Sequence, residues 1–235
     1  MWNKEQLLNN YRYLHHYHCN HLNSELNRIL TIKCSRETKK QKEVRLNKLF
    51  VGSATVSPSE NIFEEITTNE KLQHLYKYMP TSESRWFQRL ITFSENLPIC
   101  VTVSSSRKSL RGFPLIYVNK RFEELTKYKR LDILGKNCKF LQPDTVPSDE
   151  NLQYILMRNA LEHASQISLI LTNIKADGTP FQNLLSLVPI KDKNENFIYV
   201  VGVQTELNMV NLNIEDVQNV IDLISIVHDN IDGSR

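Results

Sequence analysis

Three strand-like runs, Gln166–Ile174, Pro180–Ile190 and Phe197–Thr205, follow one another closely, and this spacing limits the fold more than any other feature of the 235 residues. Their connections, Lys175-Ala-Asp-Gly178 and Lys191-Asp-Lys-Asn-Glu-Asn196, are short and rich in turn formers. Connections of this kind join antiparallel neighbours. The C-terminal half therefore carries an antiparallel meander.

Upstream, Pro98 opens a further strand-like run, Ile99–Val103, and Leu115–Val118 follows after a turn-rich loop through Gly112. From Asn119 to Glu150 the pattern breaks into short helical pieces. Asn151–His163 then reads as a longer helix carrying Leu152, Ile155, Leu156 and Leu161. Two strands, short helices, a longer helix and three strands give an α+β fold, a five-stranded antiparallel sheet with helices on one face. The space between sheet and helices is a usual place for a small molecule.

The first ninety-odd residues read as helical. Leu14, Leu22, Leu26, Ile29 and Leu30 share a spacing compatible with one face, and Glu70–Met79 adds Leu72, Leu75, Tyr76 and Met79. A short helix is predicted over Glu83–Glu95, with Trp86, Leu90 and Phe93 on one side and Ser82 as its cap. That apolar side needs a partner. Beyond the meander, 213–228 is one more amphipathic helix with Ile214, Val217, Ile221 and Ile224 in register. The expected division is a helical N-terminal region over 1–96, a ligand-binding domain over 97–207, and a C-terminal helix and tail over 208–235.

With 40% hydrophobic and 23% charged residues the chain is of the soluble globular class, and a net charge of +3 is too small to imply wholesale nucleic-acid binding. Basic charge is local. Lys33 to Lys48 holds Lys33, Arg36, Lys39, Lys40, Lys42, Arg45 and Lys48 against Glu37 and Glu43, which offers a contact to an anionic membrane or partner. The plainer reading is a solvated helix face. The basic stretch lacks following leucine heptads, so DNA binding by a basic zipper is not expected.

No apolar stretch approaches the ~18 residues needed to span a bilayer, and the N-terminus lacks the apolar core of a secretion signal. An intracellular address, cytoplasmic or nuclear, is expected. Cys19, Cys34, Cys100 and Cys138 form no C-x-x-C pair, and the cluster His15, His16, His18, Cys19 and His21 fits no ordinary zinc spacing. Free thiols and no metal are expected. No phosphate-cradling loop, kinase signature or catalytic triad pattern stands out, so the chain is read as a non-enzyme.

One octamer carries chemistry. Gly135-Lys-Asn-Cys-Lys-Phe-Leu-Gln142 strongly resembles the G-x-N-C-R-F-L-Q signature of LOV domains, the flavin-binding photoreceptor branch of the PAS family, with Lys139 as its single departure. Arg121-Phe-Glu-Glu-Leu-Thr-Lys-Tyr128 and Asp132-Ile-Leu-Gly135 look like the helix and loop that precede the reactive cysteine there. The resemblance covers about half the chain. It implies an FMN cofactor whose ring is held by Asn173, Asn183 and Gln204, beside Asn137, Cys138 and Gln142. It also implies that Cys138 forms a reversible adduct with the excited flavin. Gln204 would then change its hydrogen bonding and pass a signal to the flanking helices.

Two features stand apart from similarity. Asn173 and Asn183 lie ten residues apart across a turn, and an even separation lets both side chains point inward. Amides also offer a donor and an acceptor each, which suits the mixed polar edge of an isoalloxazine ring. At the phosphate end the resemblance implies Lys139 and Arg158, the latter after a three-residue insertion around 145–150. Lysine is a point charge where arginine is a planar fork, so riboflavin or FAD would be less strongly excluded.

The N-terminal region looks somewhat like the closing helices of an RGS domain, in Asn61-Ile-Phe-Glu-Glu-Ile, Leu75-Tyr-Lys-Tyr-Met79 and Ser84-Arg-Trp-Phe-Gln-Arg-Leu90. Too few residues precede Pro98 for the complete fold. A fragment, a degenerate copy and an unrelated helical cap all stay open. Expected partners are the flavin, a signalling protein or a second copy, with a membrane or G-protein contact through the N-terminal region. The alternatives to a blue-light photoreceptor are a light-independent PAS interaction module and a light-regulated RGS-type regulator of G-protein signalling.

Overall fold

The computed structural model describes residues 59–69, 72–77, 79–110, 112–144 and 151–207. The basic stretch, the histidine cluster, Cys19, Cys34 and the amphipathic segment 213–228 lie outside the described residues. Within them the order is α1 (Ser59–Thr68), α2 (Gln73–Tyr76), α3 (Thr81–Ser94), β1 (Cys100–Ser105), β2 (Leu115–Val118), α4 (Lys120–Thr126) and α5 (Arg130–Ile133). A 3-10 turn (Cys138–Leu141), α6 (Asn151–Glu162), β3 (Ile167–Ile174), β4 (Pro180–Lys191) and β5 (Phe197–Glu206) complete it.

The five strands form one sheet in the order β2-β1-β5-β4-β3, every pair antiparallel. The expected fold, an α+β sheet with helices, is therefore the observed one. Strand ends differ from the sequence reading by no more than two residues. The cap of α3 differs in kind: Ser82 lies inside the first turn, Pro80 precedes the helix in extended backbone, and no side chain caps it. Proline fixes φ near the value a helix entry needs, so a boundary forms there without a hydroxyl.

Strand alternation gives the sheet two different faces. On β5, Tyr199, Val201 and Val203 turn one way while Val200, Gly202 and Gln204 turn the other. The first set packs with α3, whose Trp86, Phe87, Leu90 and Ile91 are buried in the same core as Val101, Val103, Val201 and Val203. The apolar side of α3 thus finds its partner on the sheet. Trp86 stacks on Tyr199 with ring centroids 5.5 Å apart and planes within 10°.

Two buried carboxylates fix α3 and its C-terminal end to the sheet. Glu83 accepts from Arg107 Nη2 at 2.6 Å and from the Tyr199 hydroxyl at 2.6 Å. Glu95 accepts from Arg130 Nη2 at 2.6 Å and from the Tyr117 hydroxyl at 2.8 Å. Asn119, fully buried, joins three elements. Its Oδ1 accepts from Val101 N and Phe122 N, and its Nδ2 donates to Ser94 O and Ile99 O. An amide with all four bonds satisfied holds α3, β1 and α4 in one place.

Candidate functional site

On the opposite face the chain must bring a loop over the sheet without filling the space beneath it. Gly135, at φ +83°, makes the reversal after α5 that a residue with a Cβ would strain to adopt. Its N–H donates to Leu115 O at 2.8 Å, and Lys136 O accepts from Leu115 N at 2.9 Å, so the loop hangs from β2. Asn137 then caps the 3-10 turn: its Oδ1 accepts from Lys139 N at 2.9 Å, while its Nδ2 donates to Gly112 O. Both amide atoms of Asn137 are spent on backbone. Its role is to set the turn that begins with Cys138.

Beneath that turn lies a cavity whose walls include Thr102, Cys138, Leu171, Asn173, Gly202 and Gln204, with Met157 and Leu161 of α6 at its side. Its volume is about 100 Å³. The 3-10 turn above and the sheet below bound this slot. Asn137, Lys139 and Gln142 also line it. Two of the residues expected at the site do not. Asn183 is fully buried between Asn173 and Gln204, and Arg158 is exposed on α6, one residue past the Met157 that faces the slot.

The three amides form one chain of hydrogen bonds. Asn183 Nδ2 donates to Asn173 Oδ1 at 2.8 Å and to Gln204 Oε1 at 2.9 Å. Gln204 Nε2 has a long contact of 3.5 Å to Thr102 Oγ1, and Asn183 Oδ1 is buried with no partner. Buried polar atoms are normally bonded, so an orphaned acceptor and a loosely held donor mark a site shaped for something else. Cys138 is half-buried, and its removal from water pushes the thiol up to about 12.

Gly202 belongs to the same wall and was not singled out from the sequence. A Cβ there would stand 2.6 Å from Thr102 Oγ1, 3.5 Å from Gln204 Nε2 and 3.7 Å from Leu185 Cδ1. A glycine inside a strand marks close approach of another group, and that signal was available at Gly202. Thr102, Leu171 and Leu185 carry no comparable signal, because apolar or hydroxyl residues on strands are ordinary.

Residues 98–209 match the PAS domain family. Over 94 residues the chain is 38% identical to a blue-light photoreceptor of Listeria monocytogenes, covering 40% of this chain and 36% of that protein. Over 111 residues it is 33% identical to a blue-light-activated histidine kinase of Erythrobacter litoralis, covering 47% and 31%. The domain over 98–209 belongs to the LOV branch of the PAS family. A solved LOV domain from an Erythrobacter litoralis blue-light activated histidine kinase is 32% identical, covers 48% of this chain and 99% of that one, and superposes with a TM-score of 0.43.

The chain thus spans about a third of the length of those two curated relatives. LOV photoreceptors bind a flavin, and the donor set of this LOV domain fits one. The walls are apolar, the amides at one edge offer both donors and acceptors, and a thiol faces the same slot. Among the described residues no group of His, Cys, Asp and Glu could hold a metal ion, and no helix is long and apolar enough to cross a membrane.

Proposed function

We propose that this chain is a blue-light photoreceptor whose LOV domain, over 97–207, binds FMN and uses Cys138 as its light-reactive thiol. One observation carries the reading: a single slot brings Cys138 together with Asn173 and Gln204, and Asn183 ties those two amides together. Asn173, Asn183 and Gln204 hold the polar edge of the ring. Lys139 at the mouth and Arg158 on the exposed side of α6 meet the phosphate. FMN bound there supplies absorption of blue light and an electrophilic ring carbon for a thiol.

The residues prepare that chemistry in three ways. Cys138 holds its proton on Sγ at neutral pH, because burial raises its pKa, so the thiol and not the thiolate meets the ligand. Its place at the start of the 3-10 turn is set by Asn137 through Lys139 N and Gly112 O. Gln204 is held in one amide orientation by the Asn183 donor. Rotating it would set Nε2 against Asn183 Nδ2, and two donors cannot bond. A ligand that exchanged an acceptor for a donor beside Gln204 would favour the rotated amide. The rest of the chain, 1–96 and 208–235, then carries the change to a protein partner or second copy.

The test is spectroscopic. Purified in the dark, the wild type shows flavin absorbance that bleaches under blue light and recovers in the dark, and Cys138→Ala keeps the absorbance but does not bleach. A colourless wild type that takes up no added FMN would favour a light-independent PAS module. Bleaching that survives in Cys138→Ala would remove the thiol from the reaction.

A further inference from the structure

The slot has two ends of different character, and strand register tells them apart. Along β5, Gln204, Gly202 and Val200 share the slot face, so about 13 Å of strand separates the Gln204 amide from Val200. Ser104 of β1 stands opposite Val200 and lines the same end. Phe113 also lines the slot, and its ring packs with Phe197, which lies beyond Val200 as seen from the amides, with centroids 6.1 Å apart. The amides and the Phe113 ring therefore occupy opposite ends.

The backbone that delivers this ring is unusual. Phe113 has φ +51°, in the left-handed region, directly after Gly112 at +84°. A bulky side chain is strained there, because its Cβ crowds the backbone carbonyl. The other non-glycine residues with positive φ among the described residues, Lys127, Ala164 and Glu195, end helices or turn between strands and line no part of the slot. Such strain persists only where the surroundings over-determine it, and here both neighbours are pinned. Gly112 O accepts from Asn137 Nδ2, and Pro114 O accepts from Ser105 N at 2.9 Å. Asn137 also accepts from Lys139 N, so one amide places both the Phe113 loop and the turn that begins with Cys138. A glycine at this position would make the reversal without strain but would leave that end of the slot without a ring.

We infer that Phe113 is a specificity-determining residue: its ring closes the end of the slot opposite the amides and excludes ring ligands that carry bulk on the edge farthest from them. The choice among ligands rests on the flavin reading above. With the polar edge of an isoalloxazine held at Asn173 and Gln204, its benzenoid edge is the one that reaches Phe113.

The experiment uses the full chain freed of flavin and has two arms. In the first, riboflavin and the analogue with a dimethylamino group in place of a benzenoid methyl are titrated into wild type, Phe113→Ala and Phe113→Gly. Wild type is expected to prefer riboflavin by about tenfold or more, and both variants to bring the ratio near unity. Glycine is the second variant because it takes a positive φ freely, should alanine fold poorly. In the second arm, without ligand, N-ethylmaleimide labels Cys138 severalfold faster in both variants, read by peptide mass spectrometry. A ring that only packs on Phe197 lowers stability when removed without moving the ratio. A wild type that does not discriminate, or variants that keep its preference, overturn the inference. If wild type takes up neither flavin, labelling decides: acceleration sinks the flavin reading and leaves the closure standing, whereas unchanged labelling overturns both.

Discussion

The two faces of the sheet are built from the same strands and do opposite things with polar groups. Against α3, each buried carboxylate has an arginine and a tyrosine: Glu83 with Arg107 and Tyr199, Glu95 with Arg130 and Tyr117. Trp86 Nε1 and Arg130 Nε lack partners there, but both side chains are held elsewhere, by ring stacking and by Glu95. On the slot face the polar groups include neutral amides that bond one another and still leave Asn183 Oδ1 unpaired, and a half-buried thiol lines the same slot. The first face is closed around its own side chains, and the second holds a cavity. A fold can tolerate an unfinished face when the opposite one supplies the packing, here the stack of Trp86 on Tyr199 and a continuous aliphatic core.

The sharpest way to break this contrast is to remove a carboxylate from the closed face. Glu95→Ala strands Arg130, itself 7% exposed, and loss of one member of a buried pair costs roughly 3–5 kcal/mol. The low end, about 3 kcal/mol, is expected because Glu123 Oε2 stays 3.5 Å from Arg130 Nη2. Urea denaturation of the variant measures it, with flavin uptake by the folded fraction expected to persist. A loss under about 1 kcal/mol would mean that the closed face is not where stability resides.

On the slot face the expected stability effect is smaller and the binding effect larger. Gly202→Ala adds one methyl against Thr102 Oγ1, whose side chain must turn, at a cost of about 1 kcal/mol. The methyl occupies the wall of the slot. Flavin titration is expected to show at least tenfold weaker uptake while the melting temperature shifts by a few degrees. Unchanged uptake would place the ring away from β5.

The antiparallel sheet and part of the slot, Asn137, Cys138, Lys139, Gln142, Asn173 and Gln204, were legible before the structure, because short turns force antiparallel pairing and an octamer around Cys138 is specific. Asn173, Asn183 and Gln204 could be named, but not the fact that Asn183 bridges the other two. That depends on register: Asn183 pairs with Leu171 and Glu206, which sets it diagonally between Asn173 and Gln204. The partner of α3 was likewise invisible. Trp86 and Phe87 announce that a helix has an apolar side, whereas the choice of sheet face is made by Glu83 and Glu95 reaching arginines 24 and 35 residues away. Long-range ion pairs leave no periodic trace.

The smallest effect concerns the two described thiols, which burial raises alike, each to about 12. A free cysteine ionises near about 8.5, so between there and about 12 the unfolded chain has lost protons that the native chain keeps. The folded state therefore has its full stability below about pH 8.5 and loses part of it as pH rises toward about 12. Alkylation separates the two thiols where titration does not. Cys138 opens on the slot and Cys100 is 1% exposed, so iodoacetamide is expected to label Cys138 first, slowly at pH 8 and about tenfold faster per pH unit above it. Cys100 is labelled only as the chain unfolds. Peptide mass spectrometry over a pH series reads both, and equal labelling of the two cysteines in the folded protein would show that the slot is no more open than the core.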